Sequence, residues 1–227
     1  MTSFRILAVS LSWAVLASPS LRAGDLSRYR SFQIGTDLPT IARQTRMDPS
    51  QAKVIHRRPA LIQELEWRPQ PLGPSTHVES ADGVVFSFYN NQLYRIVVNY
   101  DRYKTEGLTD EDLIEAISAT YGTGTRAAAE IILPSIYGDN ETLEVLARWE
   151  DAEYSFNLVR FSHQPSFTLV AVSKRLDTLA RAAVIEAVRL DAQEAPQREI
   201  ELQKKQEEEN RVQQEKARLA NKPGFRP

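Results

Sequence analysis

Cysteine is absent from this chain of 227 residues. That excludes disulfides, thiolate nucleophiles, thiolate metal sites and lipid attachment through cysteine, and leaves the fold to be held by its core alone. Histidine is scarce. His56, His77 and His163 are the three, and none stands three or four residues from another, the spacing that metal ligands on one helix need. Neither charge sign dominates: 28 Lys and Arg face 30 Asp and Glu, a formal net charge of −2. No global field therefore recruits nucleic acid or an anionic membrane surface. After the first two dozen residues no apolar run approaches the roughly twenty residues of a membrane span, so none is expected there. No G-x-S-x-G or H-E-x-x-H motif occurs. What remains is ordinary for a folded domain, 42% hydrophobic and 26% charged.

The first 23 residues are the most distinctive. Met1-Thr2-Ser3-Phe4-Arg5 carries one positive charge, residues 6–17 are apolar, and Ser18-Pro19-Ser20-Leu21-Arg22-Ala23 leads into polar Gly24-Asp25. This is the layout of a secretory signal peptide, with cleavage expected after Ala23, although Leu21 is bulkier than the ideal residue two places earlier. An apolar core of about twelve residues is too short to span a bilayer as a helix. The product is expected to be exported, periplasmic or extracellular, and its remaining residues, about 204, suit one large or two small domains.

Periodicity outlines the rest. Leu38, Ile41, Ala42 and Thr45 keep helical spacing behind Thr36 or Asp37 as N-cap, with Pro39 in the first turn where its missing N–H costs nothing. Strands are expected over 53–56 and 61–67, and a loop over the Pro-, Gly- and Ser-rich 69–82. Residues 83–100 read as a hairpin turning at Asn90-Asn91. A two-residue loop pairs Phe88 with Leu93 but sets Arg95 opposite Phe86. A three-residue loop that includes Gln92 collects Val84, Phe86, Phe88, Tyr94, Ile96 and Val98 on one face and is preferred, since a one-residue slip inverts every side chain. Thr109 and Asp112 form a capping-box variant for a helix over 110–121, with Leu113, Ile114, Ile117 and Tyr121 as its buried stripe and Gly122 as its stop. Residues 126–133 are open between helix and strand in their first half. Strands follow over 143–149, 154–161 and 167–173, and then a docking helix carrying Leu176, Leu179, Ala180, Ala183, Val184, Ala187 and Val188.

Composition changes past Ala195-Pro196. Residues 191–226 hold eight acidic and eight basic side chains, and Ile200, Leu202, Val212 and Leu219 keep no heptad spacing. A solvated helix or fraying tail is expected, with a helix that pairs with a partner, coiled-coil fashion, as the alternative. The fold class expected is α+β. Two related helix-plus-antiparallel-sheet units over 24–104 and 105–194, the second ending in the docking helix, precede a charged tail over 195–227. Each unit carries a tryptophan flanked by charge in a strand, Glu66-Trp67-Arg68 and Arg148-Trp149-Glu150.

Several patterns invite chemistry and have plainer explanations. Gly122-Thr123-Gly124-Thr125-Arg126-Ala127 fits G-x-G-x-x-A, but a dinucleotide loop must leave a strand and open a helix, and this one leaves a helix. Asp110-Glu111-Asp112 with Glu115 occupies a first helical turn, where the dipole favours negative charge, and lacks EF-hand spacing. His56-Arg57-Arg58 makes a small basic spot at a turn. Asn140-Glu141-Thr142 matches an N-glycosylation acceptor, relevant only in a eukaryotic source. No catalytic residue, metal ligand or cofactor-binding residue is assigned. Tyr94, Arg95, Tyr100 and Tyr103, with Tyr89 and Arg102 nearby, are the candidate partner-binding group, because tyrosine and arginine dominate interface hot spots. The competing explanation is that these tyrosines edge the core.

Phe88-Tyr89-Asn90-Asn91-Gln92-Leu93-Tyr94-Arg95-Ile96 resembles the F-x-N-G-x-L-x-x-I hairpin of two families of small bacterial envelope proteins. These are the SmpA/OmlA lipoproteins of the β-barrel assembly machinery and the β-lactamase inhibitor proteins. Phe32-Gln33-Ile34-Gly35 is similar to their entry into the first helix. The chain departs from both in lacking a lipid-attachment cysteine, a disulfide pair and a tail-free C-terminus. The resemblance implies helices on an antiparallel sheet and a binding or scaffold role outside the cytoplasm, with no catalytic residues to carry over. A non-enzymatic exported protein is therefore expected, with another envelope protein as its partner. The alternative is an exported hydrolase whose acidic residues converge from both units.

Overall fold

The computed structural model describes residues 24–69, 80–126, 129–133, 141–160, 166–224 and 226. The expected signal peptide, His77, His163 and Asn140 lie outside them. Two short strands, β1 (Arg28–Tyr29) and β2 (Phe32–Gln33), make an entry hairpin ahead of α1 (Leu38–Thr45). Asp37 is the N-cap and accepts from the Thr40 backbone N–H at 2.9 Å. A 3-10 turn (Pro49–Gln51) precedes a meander of four strands, β3 (Lys53–His56), β4 (Ile62–Trp67), β5 (Ala81–Tyr89) and β6 (Gln92–Tyr100). Then the order repeats. Helix α2 (Asp110–Tyr121), with Thr109 and Asp112 closing its capping box, leads to β7 (Ala129–Leu133), β8 (Glu141–Glu150), β9 (Tyr154–Arg160) and β10 (Phe167–Ser173). The chain is α+β, as expected.

All eight long strands belong to one antiparallel sheet in the order β3-β4-β5-β6-β10-β9-β8-β7. The two meanders meet through their last strands, with Val97 opposite Val170 and Ile96 opposite Ala171. Core packing therefore runs across the whole sheet. On one face α1, α2 and the entry hairpin bury Phe86, Ile96 and Leu65 from the first meander with Trp149, Phe156 and Leu158 from the second. Phe32 of the entry hairpin stacks edge-on against Phe86 at 4.7 Å and Trp67 at 5.6 Å. Each such fully buried side chain contributes about 1.5–3 kcal/mol. On the opposite face α3 (Lys174–Asn221) lays Leu176 and Ala180 over Ile62 and Tyr94.

One local expectation is corrected. The β5–β6 hairpin uses the two-residue loop: Asn90 and Asn91 take φ of 46° and 67°, and Phe88 pairs with Leu93. A bulge at Tyr94 then shifts the register, setting Ser87 opposite Arg95 and Phe86 opposite Ile96. One extra residue on one strand thus joins the tip of one expected register to the apolar stem of the other. The docking helix and the charged C-terminal stretch form one helix, α3, which runs unbroken for 48 residues with Pro196 inside it. The proline removes one N–H from the ladder. Nearby, the Arg198 guanidinium donates to the Asp191 carbonyl at 2.8 Å.

Candidate functional site

The structure divides the tyrosine–arginine group between the two faces of the sheet. Tyr94 and Arg95 are 4% and 5% exposed on the face covered by α3. Arg95 donates to Glu64 Oε1 at 3.2 Å and to Ser87 Oγ at 3.3 Å, and Ser87 donates to the same carboxylate at 3.1 Å. This polar cluster is interior, not a contact surface. Tyr100 lies on the other face against the main core, while Tyr103 is 73% exposed in the following connection, with the Arg102 guanidinium 4.7 Å from its ring centroid. Tyr100 and Tyr103 each border an open recess.

The larger recess is a cleft of about 550 Å³ beside Tyr100. Three pieces of chain form it. The entry hairpin supplies Arg28, Tyr29 and Arg30, helix α2 supplies Leu113, Ala116, Ile117 and Tyr121, and the 101–108 connection supplies Lys104, Thr105 and Leu108. Leu169 of β10 contributes from the sheet. The connection is shaped locally: Asp101 Oδ1 accepts from the Tyr103 N–H at 2.8 Å, Thr105 Oγ1 donates to the Asp101 carbonyl at 3.0 Å, and Gly107 turns with φ of 80°. A left-handed turn of that kind suits glycine.

Three phenols meet along one wall. The Tyr29 and Tyr100 hydroxyls are hydrogen-bonded to each other, and burial, reinforced by Tyr29, pushes the Tyr100 hydroxyl far above the usual tyrosine range. Burial also raises Tyr121, partly offset by the Arg30 backbone N–H donating to its hydroxyl. The Arg30 guanidinium lies 5.3 Å from the Tyr29 ring centroid. Among the described lining residues Asp25 is the one carboxylate. Ser27 hydrogen bonds hold it below the usual carboxylate value, and Arg28 pairs with it at 3.3 Å. Tyr29, Tyr121 and the basic rim escaped sequence reasoning because they come from segments some ninety residues apart; Tyr121 showed only as the last position of a buried stripe. A smaller recess of about 360 Å³ adjoins, with Tyr103, Arg102, Glu106 and Arg160 among its lining.

The remaining patterns are used structurally. Gly122 caps α2 with φ of 86°, and a Cβ on Gly124 would stand 2.6 Å from Trp149 Cε2. Trp149 Nε1 in turn donates to the Gly122 carbonyl at 2.8 Å, so the glycine pair seats a tryptophan rather than a phosphate. In the acidic cluster Asp110 pairs with Arg160 at 2.9 Å, Glu111 with Arg126 at 2.6 Å, and Asp112 caps Thr109. Arg58 from the basic spot pairs with Glu194 of α3. Ser50-Gln51-Ala52-Lys53 matches the S-x-x-K spacing by letter, yet both Ser50 and Lys53 are exposed, on the 3-10 turn and the sheet edge. Among the described residues no group of three metal-ligating side chains converges. Neither recess beside the 101–108 connection brings two carboxylates, or a histidine and a carboxylate, together in its described lining.

Helix α3 is the other prominent feature. Leu176, Ala180, Ala183 and Ala187 bury its first turns, and from residue 195 onward every described side chain is exposed. At 1.5 Å per residue the 195–221 stretch is about 40 Å long. Glu208–Arg211 and Glu215–Arg218 pairs at 2.8 and 2.6 Å brace it. No described helix is long and apolar enough to cross a membrane. No protein-family model, curated protein or solved structure matches this chain.

Proposed function

We propose that the protein is a non-enzymatic binding or scaffold protein that works outside the cytoplasm, its sheet domain serving as the root of a rigid helical arm that engages another envelope protein. The observation that carries this reading is α3 itself, one helix of 48 residues, seated on the sheet at one end and exposed throughout the other. A mostly polar helix braced by intrahelical ion pairs, with only Ile200, Leu202, Val212 and Leu219 as large apolar side chains past Pro196, suits bridging through solvent. Burial of Tyr94 and Arg95 leaves the arm as the stronger of the two surfaces considered from sequence. The leader at 1–23 supports export, and the repeated helix-then-meander order supports the resemblance to the SmpA/OmlA and β-lactamase-inhibitor families.

The test is capture from an extracytoplasmic fraction with the full chain and with a chain ending at residue 195. A specific partner that is retained by the full chain and lost on truncation, while the melting temperature stays the same, is the expected result. Equal retention by both chains, or no partner with either, overturns the proposal.

A further inference from the structure

We propose that α3 pairs antiparallel with α3 of a second copy of this chain, through the outward face of residues 185–202. The pairing rests neither on export nor on what the arm holds, and residues 203–221 lie beyond the overlap. Leu176, Ala180, Ala183 and Ala187 form the buried row of α3. Ile185 and Val188 stand on the side away from the sheet, 72% and 58% exposed. Ala192, Ala195 and Leu202, all exposed, follow at intervals of four, three and seven residues. That is a heptad row, the spacing at which one helix seats another. It crosses Pro196, so it exists only because the helix runs through the proline. At about 1.5 Å per residue the row from Ile185 to Leu202 is about 26 Å long.

Charge sets the direction. Glu199 occupies the row between Ala195 and Leu202, and a parallel pair would press it against Glu199 of the other copy. An antiparallel pair, with a twofold axis between Ala192 and Ala195, avoids that. Ile185 of one copy then faces Leu202 of the other, Val188 faces Glu199, and Ala192 faces Ala195. Small side chains at the centre let the two helix axes approach closely. Asp191 and Arg198 flank the row on one side, pair within their own chain at 3.3 Å and are half exposed. In the antiparallel arrangement Arg198 of each copy also comes beside Asp191 of the other, so opposite charges meet on both sides of the axis. The row is thus complementary to itself when reversed, the requirement that a twofold interface imposes.

Sedimentation equilibrium of the purified chain between about 1 and 500 μM tests the pairing, and a reversible monomer–dimer equilibrium is expected. Leu202→Glu, at a position 67% exposed, should weaken the dimer at least about tenfold at an unchanged melting temperature. Direction has a separate readout, because the chain carries no cysteine of its own. Ile185→Cys and Leu202→Cys chains, mixed and oxidised, should give the mixed disulfide. Neither variant alone should link to itself, since its two thiols would lie about 26 Å apart in the antiparallel pair. A monomer at every concentration, a dimer indifferent to Leu202→Glu, or a disulfide formed by either variant alone each overturns the proposal. One purified protein suffices for these measurements, so their outcome is independent of whether the arm captures an envelope protein.

Discussion

Arg95 shows how far a residue's meaning depends on what comes to cover it. In the strand it reads as an outward-facing cation, but with α3 above it the guanidinium is interior and pairs with Glu64. Glu64 Oε2 finds no hydrogen-bond partner among the described residues, so the pair is only partly satisfied. Removing one member of a buried pair strands the other charge. Arg95→Ala should therefore cost about 3–5 kcal/mol in urea unfolding, whereas the double replacement Glu64→Leu with Arg95→Met should stay near the parent. A loss below about 1 kcal/mol for Arg95→Ala would mean that water reaches the cluster. The burial was illegible in sequence because the covering helix begins some eighty residues later. By contrast, the apolar identities of Phe86 and Ile96 announced their own burial.

Helix starts were the most legible elements, because capping is settled within four residues. Asp37 is held below its ordinary value of 3.8 by the Thr40 hydroxyl and then the Thr40 backbone N–H, and Asp112 by the Thr109 backbone N–H and then its hydroxyl; Asp48, which no sequence pattern singled out, is lowered in the same way by Ser50. As the pH falls the unfolded chain takes up these protons first. The stability that the caps contribute is thus complete above about pH 4 and is lost as the pH drops through the lowered values. Asp112→Asn keeps an acceptor for Thr109 but cannot titrate. Its melting temperature should fall less steeply than the parent's between about pH 5 and 2, and an identical slope would show that this cap is open in solution. The β5–β6 hairpin was half legible. Asn90-Asn91 announced the turn, but the bulge at Tyr94 serves the sheet as a whole, letting Phe86 meet Ile96 while the tip keeps its tight loop. Pro196 sits inside α3 without ending it: a proline disfavours an isolated helix, yet this one is docked on the sheet through the turns before it and continues past.

For the whole molecule, the junction of β6 with β10 makes one core out of two meanders, and unfolding should be a single cooperative event. Trp67 reports on the first meander and Trp149 on the second, both at the second strand of their meander and on the same face. With Trp13 replaced by Phe, the variants Trp67→Phe and Trp149→Phe each keep one reporter. Each fluorescence curve in denaturant should coincide with the circular dichroism curve of the same variant. Separate transitions would show that the halves unfold independently. By itself the sequence determined most of the elements and the caps and turns that bound them, since these act between near neighbours along the chain. Tertiary structure alone decided that the meanders share one sheet, that Tyr94 and Arg95 lie beneath α3, and that three distant tyrosines line one cleft. Those outcomes depend on strand pairing and helix docking between residues up to about a hundred positions apart, and no local pattern of side chains encodes which surfaces will meet.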